Sequence, residues 1–370
     1  MIIRVVFTGG GTGGHLFPII AVARELKKII PVAFGEEPEM LFIGPSTIGD
    51  EALAKEGIAK KTIMSGKVRR YISGHNFLDI FRLIGGFFQA LFLLFSFMPN
   101  VVFAKGGYGS VPVVLVAWLF GIPVLIHESD SVPGLANRFL SRFAKRVAVS
   151  FSAAAASFPA KKTALLGNPV RAQILGGSKD QAVKLFGLNG QKPILLFLGG
   201  SQGAQAINDI LFLALPLLLE KCEVVHQCGT DNFDQIKKFY GETLPPNYHL
   251  FPFLDEEQMK HILAAADLII SRAGAGSIFE IAAAGKPSIL IPLPNSAGDH
   301  QNLNAIEYSK AGAAIVIEQS NLTPNLLKDR IFNLLNDKEL LAKMSQAALA
   351  FARPKADEII AQEILNIIKT

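Results

Sequence analysis

One feature constrains this chain more than any other. Short β-branched or apolar runs alternate with glycine-bearing turns and stretches of helical spacing. Six such runs lie in the first half, at 2–8, 40–43, 101–104, 124–126, 146–149 and 163–166. Six more lie in the second, at 194–198, 223–227, 248–251, 268–271, 288–291 and 314–317. Strands alternating with helices make parallel sheets covered on both faces, so the expected class is α/β. Twelve strands are too many for one doubly wound sheet and divide into two domains. The length of 370 residues agrees with two domains. The division is expected at Gly167-Asn168-Pro169, just after the sixth run. The last stretch, 357–369, puts Ile359, Ile360, Ile364, Leu365 and Ile368 on an amphipathic helix. That helix could pack on either domain.

Half of the residues are apolar and 18% are charged, which excludes a disordered, collagenous or coiled-coil chain. Two cysteines cannot build a disulfide framework, so a reducing compartment is expected. The N-terminal MIIRVVFTGGG runs into a glycine loop and does not read as a signal peptide. The net charge of +5 is unevenly spread. Residues 1–167 carry 18 Lys/Arg against 10 Asp/Glu, and residues 168–370 carry 18 against 21. The first half is therefore expected to meet an anionic partner, with nucleic acid, membrane surface and phosphate ligands all open at this point.

One stretch raises the question of a membrane. Residues 77–98 are rich in Phe and Leu and long enough to span one. Gly85, Gly86, Gln89 and Ser96 dilute the run, Pro99-Asn100 ends it, and a strand pattern follows at once. A true span is therefore not expected. Two readings remain: a core helix of the sheet, or a helix whose outer face lies in the bilayer interface. Lys60, Lys61, Lys67, Arg69, Arg70 and Arg82 favour the second, because anionic headgroups attract such clusters. Phe87, Phe92 and Phe95 are the expected contacts, with Trp118 beside them.

Gly9-Gly10-Gly11-Thr12-Gly13-Gly14-His15 follows the first strand and opens a helix. Glycines let backbone N–H groups approach a phosphate, and a helix start adds a favourable field. A Walker A loop needs Lys where His15 stands, which argues against a P-loop NTPase. A dinucleotide fold wants an acid at the end of the second strand, and that strand ends FIGPS. Gly106-Gly107-Tyr108-Gly109-Ser110 and Gly199-Gly200-Ser201-Gln202-Gly203-Ala204 occupy equivalent places after later strands. Three such loops, split between two domains, point to a pyrophosphate-bearing ligand in a cleft between them.

Ser271-Arg272-Ala273-Gly274-Ala275-Gly276-Ser277 runs into Ile278-Phe279-Glu280. Its amides and Ser277 suit a phosphate. Glu280, expected in the first helical turn, suits a ribose diol, or simply complements the helix dipole. Asp299-His300-Gln301-Asn302 suits sugar hydroxyls, or is a capped helix start. His127-Glu128-Ser129-Asp130 follows a strand, and a general base there opposite His15 is plausible. Cys222, His226 and Cys228 lack a second ligand pair, so no metal site is expected. The basic clusters lack interleaved aromatics, which argues against nucleic acid.

Together the motifs resemble the MurG family, the bacterial N-acetylglucosaminyltransferases of peptidoglycan synthesis. The resemblance covers the whole chain through GGGTGGH, GGYGS, HESDSVPGLANR, GNPVR, GGSQGA, SRAGAGSIFEIAAAGKP and DHQNLNA. It implies a GT-B fold of two Rossmann-like domains with a cleft between them. It implies a C-terminal helix, about 352–370, returning to an acceptor- and membrane-facing domain of residues 1–167. Residues 168–351 would bind UDP-GlcNAc. Arg171, Ser201, Arg272, Ala275, Gly276, Ser277, Ile278, Phe279, Glu280 and Gln301 match donor-binding positions. Leu254 matches a backbone contact to uracil. Thr12, Gly13 and Gly14 match the loop facing sugar and acceptor, and His15 the proposed catalytic histidine. The family usually reads His-Glu-Gln-Asn where this chain has His127-Glu128-Ser129-Asp130. Asp130 keeps an acceptor, loses a donor and adds a charge.

The resemblance implies inverting transfer of GlcNAc to undecaprenyl-pyrophosphoryl-MurNAc-pentapeptide, with neither cofactor nor metal. His15, at a near-neutral pKa, and Asp130 are the candidate bases, and Arg171 is expected to steady the leaving phosphate. The expected place is the cytoplasmic face of the inner membrane, against anionic lipid and with other cell-wall enzymes as partners. The alternatives are another GT-B enzyme, such as a UDP-GlcNAc 2-epimerase, and a non-catalytic nucleotide-sugar-binding scaffold.

Overall fold

The computed structural model describes residues 2–10, 13–45, 49–66, 75–200, 203–241 and 243–370, without the side chains of residues 13 and 75–78. The chain begins β1 (Arg4–Thr8), α1 (Gly13–Phe34), β2 (Glu39–Gly44), α2 (Asp50–Lys55), β3 (Ala59–Thr62) and α3 (His75–Phe97). It continues β4 (Val101–Ala104), α4 (Ser110–Leu119), β5 (Val124–Glu128), α5 (Leu135–Leu140), β6 (Arg146–Val149), α6 (Ser152–Ala155) and β7 (Thr163–Leu165). Then come α7 (Lys179–Phe186), β8 (Ile194–Leu198), α8 (Gln205–Leu219), β9 (Glu223–Gln227), α9 (Thr230–Tyr240), β10 (Tyr248–Phe251) and α10 (Glu256–Ala265). The last elements are β11 (Leu268–Ser271), α11 (Ala275–Ala283), β12 (Ser288–Leu290), α12 (His300–Lys310), β13 (Ala314–Val316), α13 (Pro324–Asn336), α14 (Lys338–Phe351) and α15 (Ala356–Lys369). Residues 1–170 with 353–370 form one compact unit, and residues 171–352 form the other.

The first unit holds a seven-stranded sheet in the order β3-β2-β1-β4-β5-β6-β7, and the second a six-stranded sheet in the order β10-β9-β8-β11-β12-β13. Every pairing is parallel. Numbered within its own unit, each sheet reads 3-2-1-4-5-6, the Rossmann-type order, and the first adds a seventh strand. The order reverses between β1 and β4 in one sheet and between β8 and β11 in the other. Parallel sheets bind ligands beyond the carboxyl ends of the strands at such reversals. The glycine loops after β1, β4 and β8, and the SRAGAGS loop after β11, all lie there.

Period-two alternation decides which face each strand residue joins. Val5 and Phe7 of β1 enter a cluster with Ile19, Val22 and Leu26 of α1 and Ile360, Ile364 and Leu365 of α15. Val6 points the other way, toward Ala90 and Leu94 of α3 and Val113 and Ala117 of α4. Each such fully buried side chain contributes about 1.5–3 kcal/mol. The C-terminal helix therefore completes one face of the first sheet.

The sequence pattern placed most strands within a residue or two of these bounds. β3 was missed. Its Ala-Lys-Lys-Thr is an edge strand with mostly exposed side chains, which blunts pairing with other chains and erases the apolar signal. β5 runs two residues past its expected end, so His127 and Glu128 belong to the strand itself.

Residues 79–97 of α3 are long and apolar enough to cross a membrane by length and composition, and only 17% of that window is buried. Asp79, Gly86, Ala90 and Leu94 form its buried stripe. Gly86 sits where a Cβ would meet the Met64 carbonyl oxygen at 1.9 Å, and Gln89 Oε1 accepts from the Met64 N–H at 2.6 Å. Three of the residues that dilute the apolar run, Gly85, Gly86 and Gln89, are thus the crossing point with the strand-end segment 63–66, while Ser96 bonds to the Phe92 carbonyl of its own helix. The opposite face exposes Ile80, Phe81, Ile84, Phe88, Phe92 and Phe95, the last three at 64%, 69% and 67%. The core-helix reading does not hold for this face. Phe87, expected outward, is instead half-buried against the core, and Phe88 takes its place. Arg82 is exposed on the same helix, while Lys67, Arg69 and Arg70 lie outside the described residues.

Candidate active site

In the first unit, Gly9 and Gly10 open the loop after β1, and α1 starts at Gly13. Thr12 lies outside the described residues. A Cβ on Gly10 would stand 3.0 Å from the His15 ring, and one on Gly107 would stand 3.1 Å from the Gly10 backbone. Both glycines thus let two strand-end loops close around the imidazole. Gly106 and Gly107 have φ of +86° and +82°, where L side chains are strained.

Lys105, directly after β4, anchors this region. It is 2% exposed. Its Nζ lies 2.7 Å from His127 Nδ1 and 3.2 Å from Asn168 Oδ1, and it also donates to Ser129 Oγ. His127 Nε2 faces the Gly167 carbonyl at 2.9 Å. That carbonyl can only accept, so the hydrogen-bond pattern assigns the ring proton to Nε2 and leaves Nδ1 to accept from Lys105. Burial drives the His127 pKa well below the ordinary value, with the Lys105 charge adding to it. Burial also brings Lys105 down to about 7, against the opposing pull of Glu128 and Asp130.

Glu128 organises the loop that carries Asp130. Its Oε1 accepts from the Asp130 N–H at 3.1 Å, and its Oε2 from the Gly134 N–H at 3.0 Å and Asn137 Nδ2 at 2.9 Å. Burial and the Asp130 charge raise its pKa, and those three hydrogen bonds oppose the rise. Glu128 is therefore a backbone organiser, and Asp130 is the acid left at the strand end. The expectation of a near-neutral His15 fails. Desolvation, then the Lys105 charge, lower its pKa to about 4, while Asp130 pulls the other way.

In the second unit, Gly200 and Gly203 carry positive φ in the loop after β8, where Ser201 and Gln202 lie outside the described residues. A Cβ on Gly203 would stand 2.4 Å from Asn232 Nδ2 and 2.5 Å from the Cys228 oxygen. Beneath this loop, His226 Nε2 lies 3.0 Å from Asn208 Oδ1, and Asn208 Nδ2 donates to the Cys228 oxygen at 3.1 Å. His226 Nδ1 lies 2.9 Å from the Tyr248 hydroxyl. Cys222 and Cys228 are free and buried, and no metal-holding cluster occurs among the described residues.

α11 begins at Ala275, so Ala275, Gly276 and Ser277 offer their N–H groups at the helix start. The Ile278 N–H is already bonded to the Gly274 oxygen at 3.0 Å. Ile278 and Phe279 are fully buried, and Phe279 packs on Phe351 with ring centroids 5.5 Å apart. These two expected contacts are core residues that hold the helix in place. Glu280 falls in the second turn, not the first, because α11 starts five residues before it. Its Oε1 accepts from Arg171 Nε at 3.2 Å and Nη2 at 3.0 Å. Arg171 Nη1 is also 3.8 Å from Glu256 Oε1. Arg171 thus holds Glu280, where a direct phosphate contact had been expected.

Arg272 Nη1 donates to the carbonyls of Ile291 and Pro292 at 3.1 and 3.3 Å, tying the β11 and β12 ends together. Gln301 Oε1 accepts from the Leu293 N–H at 3.0 Å, so a sugar contact falls to its amide nitrogen. The Leu254 side chain is buried, and only its backbone is available. Lys105 was missed in the sequence. Its signal was its place, between a fully apolar strand and a glycine loop at the sheet reversal.

Residues 5–149 match the glycosyltransferase family 28 N-terminal domain, and residues 194–360 match the C-terminal domain of the same family. A Clostridium kluyveri UDP-N-acetylglucosamine--N-acetylmuramyl-(pentapeptide) pyrophosphoryl-undecaprenol N-acetylglucosamine transferase is 39% identical over 361 residues, covering 96% of this chain and 98% of the relative. The crystal structure of Acinetobacter baumannii MurG superposes with a TM-score of 0.74 at 30% identity, covering 98% of this chain and 99% of that one. The UDP-GlcNAc 2-epimerase of Neisseria meningitidis bound to UDP-GlcNAc gives 0.67 at 15% identity, covering 98% and 100%, a likeness of fold alone. On this whole-length agreement, the chain belongs to glycosyltransferase family 28, in the MurG family of N-acetylglucosaminyltransferases.

Proposed function

We propose that this chain transfers GlcNAc from UDP-GlcNAc to undecaprenyl-pyrophosphoryl-MurNAc-pentapeptide. The observation that carries the reading is identity of 38–39% over more than nine-tenths of the chain with relatives of that named activity. The epimerase likeness, at 15% identity, does not extend to activity.

Residues 171–352 bind the donor. The free N–H groups of Ala275, Gly276 and Ser277 receive the pyrophosphate, with the helix field behind them. Glu280, steadied by Arg171, takes the ribose hydroxyls. The uracil meets the backbone at Leu254, and the sugar meets Gln301. The first unit takes the acceptor, and its hydroxyl displaces UDP from the anomeric carbon with inversion. The new C–O bond forms as the bond to the β-phosphate oxygen breaks, and the negative charge leaves on UDP.

The hydroxyl proton must leave as the bond forms. His15 is neutral at pH 7 and can take it, and the Asp130 charge stabilises the imidazolium. Lys105 opposes that step. The chemistry needs no redox or electron-sink group, and transfer is expected to persist in chelator. The exposed face of α3, with Trp118 and Phe139, docks the unit on the anionic membrane that carries the acceptor. A peripheral location follows from that docking, and the cytoplasmic face is what the family resemblance implies.

The test supplies sugar-labelled UDP-GlcNAc, a short-chain polyprenyl-pyrophosphoryl-MurNAc-pentapeptide and EDTA. Label entering the lipid fraction is the expected result. Label in a new water-soluble sugar would replace the reading with epimerisation. Unchanged donor, despite measurable binding, would indicate a scaffold.

A further inference from the structure

The glycine loop after β8 rests on two backbone carbonyls at the end of β9. A Cβ on Gly199 would stand 3.0 Å from the Gln227 oxygen, and one on Gly203 would stand 2.5 Å from the Cys228 oxygen. The Gln227 oxygen accepts from the Gly199 N–H at 3.0 Å. The Cys228 oxygen accepts from two carboxamides, Asn208 Nδ2 of α8 at 3.1 Å and Asn232 Nδ2 of α9 at 3.2 Å. A carbonyl oxygen has two lone pairs, so two helices together fix this one in place.

The direction of each further bond follows from that oxygen. Asn208 turns its Nδ2 to Cys228, so its Oδ1 faces His226 Nε2, at 3.0 Å. A carboxamide oxygen only accepts, so His226 carries its proton on Nε2. Nδ1 then keeps its lone pair and accepts from the Tyr248 hydroxyl at 2.9 Å. Burial keeps the ring neutral, lowering its pKa to about 3. Tyr248 opens β10, His226 lies on β9 and Asn208 on α8, and all three are buried. Apolar side chains would suffice to fill this space. A buried polar series with one consistent direction fixes an orientation as well.

We propose that His226 is a positioning residue for the donor: anchored by Tyr248, it orients the Asn208 carboxamide that holds the Cys228 carbonyl under the loop carrying Ser201. The proposal rests on the reading of residues 171–352 as the UDP-GlcNAc-binding unit. His226 is fully buried and acts only through Asn208. Without its Nε2 proton, Asn208 Oδ1 loses its donor, and the carboxamide is free to turn away from Cys228. The carbonyl on which Gly203 packs is then held by Asn232 alone, and the loop that meets the donor loses its fixed seat.

The test measures UDP binding by calorimetry and transfer kinetics with donor and acceptor varied separately. His226→Leu fills the space and removes both bonds. The UDP Kd and the donor KM are expected to rise about tenfold, the scale of one lost hydrogen bond. The acceptor KM, and kcat at saturating donor, are expected to stay near the wild type. His226→Gln, whose amide can still donate to Asn208 Oδ1, is expected to recover most of the affinity. Tyr248→Phe removes a single hydroxyl and is expected to raise the donor KM by less. It keeps the proposal testable if His226→Leu does not fold. NMR of the histidine-labelled wild type, assigned through His226→Gln, is expected to show the ring protonated on Nε2. A donor KM unchanged in His226→Leu, or in Tyr248→Phe should the first variant not fold, overturns the proposal. So does a ring protonated on Nδ1, or a fall in kcat with the donor KM unmoved, which a merely structural role would give. A wild type that binds no UDP would remove the donor reading itself, and this proposal with it.

Discussion

At the scale of single residues, the chemistry in the first unit is a balance of charge. His15 is unprotonated at neutral pH because burial and Lys105 outweigh Asp130. His15→Ala is expected to lower kcat by roughly 10²–10⁴, the range for a lost general base, with the melting temperature little changed. Activity close to the wild type would remove His15 from the mechanism. In the second unit, Glu280→Gln takes from the nearly buried Arg171 the carboxylate charge 3.0 Å from its Nη2, with Glu256 at 3.8 Å. The expected loss is on the order of 1–2 kcal/mol in stability, discounted because Glu280 is partly exposed, together with weaker UDP binding by calorimetry. Unchanged UDP affinity would return the pair to a purely structural role. The sequence exposed His15 and Glu280 because glycine-dense loops precede them, and Asp130 because it closes a run of ionisable groups after a strand. It hid Lys105, because a lysine reads as a surface residue until the fold shows three acceptors around it. It also could not separate Ser277, at a free helix start, from Ile278 one residue later, whose N–H and side chain are both already committed.

At the scale of elements, α3 and α15 make opposite use of apolar faces. The outer stripe of α3 is exposed to solvent. Glu in place of Phe88, Phe92 and Phe95 should abolish flotation with anionic liposomes and leave thermal stability intact. Flotation that survives the triple change would argue against docking by this face. α15 is held by its apolar stripe, but its first turn works against it. Asp357 is buried there, with Oδ1 unpartnered and Glu25 nearby, and burial lifts its pKa from 3.8 to about 6. The folded state therefore holds a proton that the unfolded chain has already lost between those values. Stability falls as pH rises through that window, and the cost is complete above it. Asp357→Asn should stabilise the protein by about 1–2 kcal/mol at pH 7 and by almost nothing near pH 4, as read by denaturant titration at the two pH values. The strands were legible because fully buried parallel strands read as unbroken apolar runs. The edge strand β3 was not, since two lysines stand where that signal would be.

At the scale of the molecule, the chain folds one Rossmann-type pattern twice, and the two sheets share a strand order down to their reversal points. That duplication was visible in the sequence as a strand and a glycine loop opening each half. Residue spacing alone did not show which unit the last helix joins, because an amphipathic stripe names no partner; only the family resemblance implied the first unit. The structure answers with Ile360, Ile364 and Leu365 packed beside Val5 and Phe7. Removing residues 353–370 uncovers that face of the first sheet. The truncated protein is expected to lose the cooperative melting of the first unit while residues 171–352 still bind UDP. Loss of UDP binding along with the melt would show the two units to be one cooperative body.

The same helix sets an order of events during synthesis. Domains usually fold in the order in which they are made. Here residues 171–352 are contiguous and can condense as soon as they emerge, whereas the unit made first lacks part of its core until residues 353–370 have been added. The half that leaves the ribosome first is therefore the half completed last. Throughout that interval the bare Val5–Phe7 face and the Phe-rich face of α3 are both open to solvent, so a chain stalled before residue 353 would be the form most prone to aggregate.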